Sequence, residues 1–359
     1  MPDPSRSGII KPEVLAAAAY TLSHVKADVK LDQNENPYEI PRELKERIVE
    51  RVLQRDWGRY PGFVPRETIR RIAAFTGWRE DGILVGNGSN ELIYVALIAT
   101  AGPGRTVAIP QPTFAIYKLL ASILGAAVAD VWLDCRDFSF DVDALADAAR
   151  TADVVIVCSP NSPTGTLLPM AAAERILRAA RGLVVVDEAY HEFSGQTLVP
   201  LLDQFENLIL LRTFSKAKAM AGLRFGYMLA HPGVARELAK AQLPYSVNIF
   251  TLAAAELAIE EAPGLEGPVR RLIAERARLE SDLGRRQKVE VFPSQANFVL
   301  IRTPWPAGSL FEALYSQGVL VRNVSSYPLL ERALRVSVGT PEQNDRFLAA
   351  LDHALETLA

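Results

Sequence analysis

Cysteine and histidine are scarce in this chain of 359 residues: two cysteines, Cys135 and Cys158, and four histidines, His24, His191, His231 and His353. Two cysteines are too few for a disulfide framework, and a reducing cytoplasm is the expected compartment. The histidines are scattered without metal-ligand spacing, so no metal site is expected. No apolar run approaches the roughly 20 residues that span a bilayer, and the opening MPDPSRSG lacks the apolar core of a secretory signal. An excess of charge of one sign is missing too. The 39 basic and 42 acidic residues leave a net charge of −3, which gives no electrostatic reason to expect nucleic acid or an anionic membrane as partner. No internal repeat stands out, and the alanine-rich LAAAAY near the N-terminus is the one biased tract.

What is present is the balance of a soluble globular protein, with 49% hydrophobic and 23% charged residues. The length fits one large domain and a smaller one. Short β-branched apolar runs fall at 83–86, 106–109, 127–133, 153–158, 183–187, 208–213 and 225–229, separated by helical-period segments such as 91–101 and 169–181. Pro169 stands at the opening of the second of these, a favoured first-turn position. Runs such as VVIVC and LVVVD are apolar on both faces, as buried parallel strands require. The fold class expected is α/β, a three-layer, mostly parallel, seven-stranded sheet. Beyond about residue 245 the grammar changes. A charged helix over 265–287 precedes strands at 289–292, 297–302, 319–322 and 334–339, with helices over 309–318 and from Pro341. LRVSVG alternates as a strand solvated on one face does. The expected division is an N-terminal arm over 1–35 that packs back on the small domain or a partner subunit, a large domain over 36–250, and a small C-terminal α+β domain over 251–359.

Ligands of open α/β sheets bind beyond the carboxyl ends of the strands, so the polar residues that follow each strand are the informative ones. GNGSNE (86–91) places Gly88, Ser89 and Asn90 before a helix, where free N–H groups favour an anion; a tight turn with an N-cap is the alternative. Glu91 interrupts a G-x-G-x-x-G, which weakens a dinucleotide reading. Phe114, in PQPTFAIY, either stacks on a planar ligand or lies in the core under a loop. CSPNSPTGT (158–166) offers Asn161 and Ser162 in a loop of the kind that often serves only as a turn. Asp187 ends an apolar strand, where a carboxylate is costly unless it meets a cation or caps a helix, and Tyr190 lies three residues on. RTFSKAKAMAGLRFGY (212–227) supplies Thr213, Ser215 and Arg224 as phosphate ligands and Lys216 as an amine at a strand end. Lys218, without that anchoring position, is expected to be solvated. One ligand answers all of these groups together. Pyridoxal 5'-phosphate needs an anion cradle, a stacking ring, a carboxylate for its ring nitrogen, hydroxyl donors and a lysine for its aldehyde.

With these motifs the chain resembles the fold-type I pyridoxal-phosphate aminotransferases, and most closely the histidinol-phosphate aminotransferases. The resemblance runs from KLDQNENPY (30–38) and GRYPG (58–62) through DEAY, TFSKAKAMAGLRFGY and NFVL to LRVSVGT (334–340). It implies that Lys216 bonds the cofactor aldehyde, Asp187 pairs with the pyridinium, Tyr190 meets the phenolic oxygen and Phe114 stacks on the ring, where many relatives have tyrosine. Gly88, Ser89, Asn90, Thr213, Ser215 and Arg224 would form the phosphate cup, with Tyr60 reaching the phosphate of the other subunit of a homodimer. Arg335 would bind the substrate's anionic group, with Tyr20, Asn34, Asn297 and Arg322 beside it. The chain departs from the usual N-N-P-T-G at Asn161-Ser162-Pro163-Thr164-Gly165, which leaves open whether Ser162 or Asn161 serves the phenolic oxygen. The reaction implied is transamination between L-histidinol phosphate and 2-oxoglutarate in histidine biosynthesis. An aromatic amino-acid aminotransferase or a phosphothreonine decarboxylase of the same fold keeps the cofactor residues and changes the substrate pocket. A regulator on this fold usually carries an added DNA-binding domain and tolerates loss of the lysine, whereas Lys216 is present and only about 35 residues precede the catalytic architecture.

Overall fold

A computed structural model describes residues 8–18 and 26–358. Its strands are β1 (Val29–Leu31), β2 (Ile83–Asn87), β3 (Thr106–Gln111), β4 (Ala127–Trp132), β5 (Val154–Cys158), β6 (Leu183–Asp187), β7 (Leu208–Thr213), β8 (Phe225–Ala230), β9 (Glu290–Phe292), β10 (Phe298–Arg302), β11 (Val319–Asn323) and β12 (Ala333–Ser337). Seven of them form the large sheet in the order β2-β8-β7-β6-β5-β3-β4. The run β4-β3-β5-β6-β7 is parallel, and β8 lies antiparallel to both β7 and β2.

The all-apolar strands are explained by helices on both faces. Along β5, Val154, Ile156 and Cys158 join one hydrophobic core while Val155 and Val157 join the other, because successive side chains of a strand point to opposite sides. The chain moves from β3 outward to β4 and then returns to the other side of β3 as β5. That reversal opens a crevice at the carboxyl ends of β3 and β5, the place where open α/β sheets bind ligands.

The second sheet has the order β1-β11-β12-β10-β9. Its first strand went unseen in the sequence. Val29–Leu31, within the expected arm, pairs in parallel with Val319–Val321. The short helix Pro12–Ala16 lies against the helix Ile116–Ile123 of the large layer. The expectation of one solvated face for the 334–339 strand is corrected. All of β12 is buried except Arg335, which is half-buried. Its polar positions face a crevice between the two sheets and not bulk water. Pro169 also differs from expectation: it is the N-cap, extended at ψ 147°, and Met170 opens the helix Met170–Ala179. Among the described residues no helix is long and apolar enough to cross a membrane.

Candidate active site

The crevice closes around a cavity of about 270 Å³. Its floor is assembled from the ends of successive strands. After β2 the chain turns at Gly88 (φ 78°), and a Cβ there would stand 2.4 Å from Arg224 Nη2. The turn delivers Ser89 and Asn90, on the first turn of the helix Ser89–Thr100, to the cavity wall. β8 passes so close beneath that a Cβ at Gly226 would lie 2.4 Å from the Ser89 amide nitrogen. Thr213 and Ser215, beyond β7, exchange a 2.9 Å hydroxyl hydrogen bond, and Arg224 Nη1 donates to Ser215 Oγ at 3.2 Å. Arg224 itself holds a left-handed backbone (φ 55°), a conformation that costs an arginine about 1–3 kcal/mol. A helix N-terminus, four hydroxyl or amide side chains and a guanidinium thus converge without a carboxylate among them, an arrangement suited to a phosphate.

Opposite this cradle, Asp187 ends β6 and is 4% exposed. Burial pushes its carboxyl pKa up to about 6, against the pull of the Tyr117 hydroxyl, which donates to Oδ2 at 2.7 Å. The Ala189 amide donates to Oδ1 at 3.1 Å. Phe114 and Tyr190 both line the cavity. Burial likewise raises the Tyr190 phenol to about 12, and its oxygen accepts from Asn34 Nδ2 at 2.9 Å. Lys216 lies between, with Nζ donating to the Gln33 carbonyl at 2.8 Å. Burial first, and the Arg335 guanidinium next, lower its pKa to about 7. Near neutrality a large share of this amine carries no proton, which a nucleophile for an aldehyde requires.

The roof comes from the second sheet. Arg322 and Arg335 line the cavity, and Arg335 donates to the Asp32 carbonyl at 2.6 Å and to Ser162 Oγ at 3.2 Å. Asn34 joins both halves, since its amide N–H donates to Ser337 Oγ at 2.8 Å and its carbonyl accepts from Asn297 Nδ2 at 3.0 Å.

Not every expected residue reaches the cavity. Ser162 lines it, whereas Asn161 is fully buried behind it, accepting from Thr113 and donating to the Pro112 carbonyl and Thr164. Asn297 stands one layer back, behind Asn34. Tyr60 is 81% exposed and stacks on Tyr245 with ring centroids 4.6 Å apart, away from this cavity. Tyr20 lies outside the described residues. The expectation for Lys218 is corrected: it is 5% exposed, with Nζ 5.4 Å from the Phe75 ring centre. Burial raises nearby Glu192 to about 7, and the Lys218 charge is what most opposes that rise. Tyr117, Cys158 and Asp32 line the cavity and were missed. Tyr117 follows Phe114 at the three-residue spacing common in buried helix faces, so nothing in the sequence separates it from a core aromatic.

The donor set fits pyridoxal phosphate. A phosphate meets the cradle that the missing Cβ of Gly88 keeps open, a pyridinium supplies the cation that a buried Asp187 lacks, and an aldehyde meets an amine held near neutrality. On a doubly wound sheet of this order, the class defined is a pyridoxal-phosphate enzyme of fold type I. The chain belongs to the family described as aminotransferase class I and II, whose model matches residues 26–351. It is 40% identical to a histidinol-phosphate aminotransferase of Chlorobaculum tepidum over 298 residues, 82% of this chain and 85% of that one. With the enzyme of that name from Prosthecochloris aestuarii it shares 37% over 351 residues, 96% of this chain and 97% of the other. The crystal structure of histidinol-phosphate aminotransferase from Clostridium acetobutylicum superposes with a TM-score of 0.86 at 26% identity, over 92% of this chain and 99% of that one. The Sinorhizobium meliloti enzyme in complex with pyridoxal-5'-phosphate has the same fold, at a TM-score of 0.86 and 23% identity, covering 98% of each chain. The protein is therefore a pyridoxal-phosphate-dependent aminotransferase.

Proposed function

We propose that this aminotransferase moves the amino group of L-histidinol phosphate to 2-oxoglutarate, as a cytoplasmic homodimer. The observation that carries the reading is the name shared by relatives 37–41% identical over most of the chain. The site is consistent with it, because Arg322 and Arg335 line the same cavity as the proposed cofactor residues and bring positive charge to it.

Pyridoxal phosphate supplies an aldehyde that condenses with amines and a ring that accepts the electron pair left when a Cα proton departs. Lys216 Nζ would act as the base that takes the substrate's Cα proton and as the acid that returns it to the carbon of the cofactor aldehyde, a transfer favoured by a pKa of about 7. Asp187 keeps the ring nitrogen protonated, and Tyr190 holds the phenolic oxygen together with Ser162. Ser89, Asn90, Thr213, Ser215 and Arg224 bind the phosphate, with Tyr60 contributed by the partner subunit. Arg335 binds the phosphate of one substrate and the carboxylate of the other, with Arg322 and Asn34 beside it, Asn297 bracing Asn34, and Tyr20 entering from the arm over 1–35. In this reading residues 36–250 bind the cofactor and residues 251–359 carry the small-domain wall. The dimer is supported by an exposed apolar face that includes Trp57, Tyr60, Phe63 and Leu243.

The test is a panel of amino donors with 2-oxoglutarate as acceptor. L-Histidinol phosphate is expected to give a kcat/KM at least about a hundredfold above L-histidinol, which has no anionic group, and L-phenylalanine, which has a carboxylate on Cα and no phosphate. Equal use of phenylalanine, or release of carbon dioxide from O-phospho-L-threonine without transamination, overturns the assignment.

A further inference from the structure

We infer that Tyr117 is a positioning residue for the cofactor ring nitrogen, acting through the carboxylate of Asp187. Three observations carry this. First, the Tyr117 hydroxyl is fully buried and donates to Asp187 Oδ2 at 2.7 Å, while the Ala189 amide donates to Oδ1 at 3.1 Å. One donor on each oxygen fixes the plane of the carboxylate. Second, the Tyr117 ring stands edge-on to Phe114, with centroids 5.5 Å apart at 84°. One side chain therefore braces both the carboxylate and the ring expected on the cofactor face. Third, both residues line the same cavity, so the hydroxyl acts where the ligand sits and not in a remote core.

The surrounding charges show why a donor is needed. The groups that face Asp187 are Tyr117 from the helix Ile116–Ile123, Cys158 from the neighbouring strand, Glu188 next in sequence and Lys216 from the loop after β7. Cys158, the register partner of Asp187, donates its thiol to the Pro160 carbonyl at 3.2 Å. Glu188 is a like charge already paired with Arg212 at 2.8 Å. Burial favours the neutral carboxyl, and Tyr117 is foremost among the groups that favour the ion. The phenol itself is pushed well above its ordinary range by burial, so it remains a donor. Asp187 is thereby held ionised and aimed before a pyridinium reaches it, which is where preorganisation lowers the cost of binding.

This inference rests on the cofactor and is independent of which amine is the substrate. The test uses full-length Tyr117→Phe, which keeps the ring and removes only the hydroxyl. After removal of the cofactor, it is titrated with pyridoxal phosphate and with the analogue in which the ring nitrogen is replaced by a C–H group. Losing a hydrogen bond to a charged acceptor is expected to weaken pyridoxal phosphate binding about tenfold. The analogue, which makes no pair with Asp187, is expected to bind Tyr117→Phe and the parent protein within about twofold. In an Asp187→Asn background the Tyr117→Phe substitution is expected to change pyridoxal phosphate affinity less than about twofold, as coupling through one partner requires. An equal loss for both ligands would mean that the hydroxyl merely shapes the cavity, and no loss for either would mean that Asp187 needs no support. Either result overturns the inference while leaving the donor panel free to succeed or fail.

Discussion

Lys216 gives up its proton near pH 7 where a free lysine does so at 10.5, because burial, and then Arg335, make the charged amine costly. The consequence for stability has a definite sign. Between about pH 7 and 10.5 the unfolded chain binds a proton that the folded, cofactor-free chain does not, so stability rises with pH through that window. Below pH 7 the full cost of the buried charge is present. Lys216→Met removes that cost, and the cofactor-free variant is expected to be more stable than the parent by roughly 2–4 kcal/mol at pH 6.5. The gap should shrink as pH approaches 10, which denaturant titrations at the two pH values would read. A constant gap would show that Lys216 does not titrate in the folded protein. Arg212 is a buried cation solved differently: Glu188 pairs with it, and Thr197 and Tyr227 take further donors, so it keeps its charge.

At the scale of elements, what was legible in the sequence is what a strand end announces locally. The runs VVIVC, LVVVD and LILLRT are apolar throughout because two cores cover them, and the polar residues after each had to point at something. Asp187, Ser89, Thr213, Ser215, Lys216 and Arg224 were found that way, and all line one cavity. What was not legible depends on partners far away in the chain. β1 is three residues long, too short for a pattern, and exists because Val319–Val321 lies beside it. Arg335 and Ser337 mimic the outward positions of a half-solvated strand because a ligand crevice, like solvent, tolerates polar groups. Lys218 looked solvated by its spacing, and only the helix Arg66–Thr76, which brings Phe75 over it, shows otherwise. Ala219 (φ 55°) adopts left-handed backbone without the glycine that announces it.

At the scale of the whole molecule, the proposed homodimer would complete a site made by two sheets with a residue of the partner subunit. Tyr60 stands on the exposed apolar face, away from the cavity of its own chain. If it serves the neighbouring site, Lys216→Ala and Tyr60→Ala are each defective, yet a heterodimer of the two contains one site with both residues. Random reassociation of an equal mixture is expected to restore about a quarter of parental activity, because half the dimers are mixed and each holds one intact site. Activity no higher than that of the separate variants would place Tyr60 outside the site. The central assignment is the attachment of the cofactor to one particular amine. Two lysines stand two residues apart, Lys216 half-buried and Lys218 buried, so reduction of the cofactor-loaded protein with borohydride followed by peptide mass spectrometry distinguishes them. The pyridoxyl group is expected on Lys216 with none on Lys218; a label on Lys218, or a peptide left unmodified at both, would contradict the site as built here.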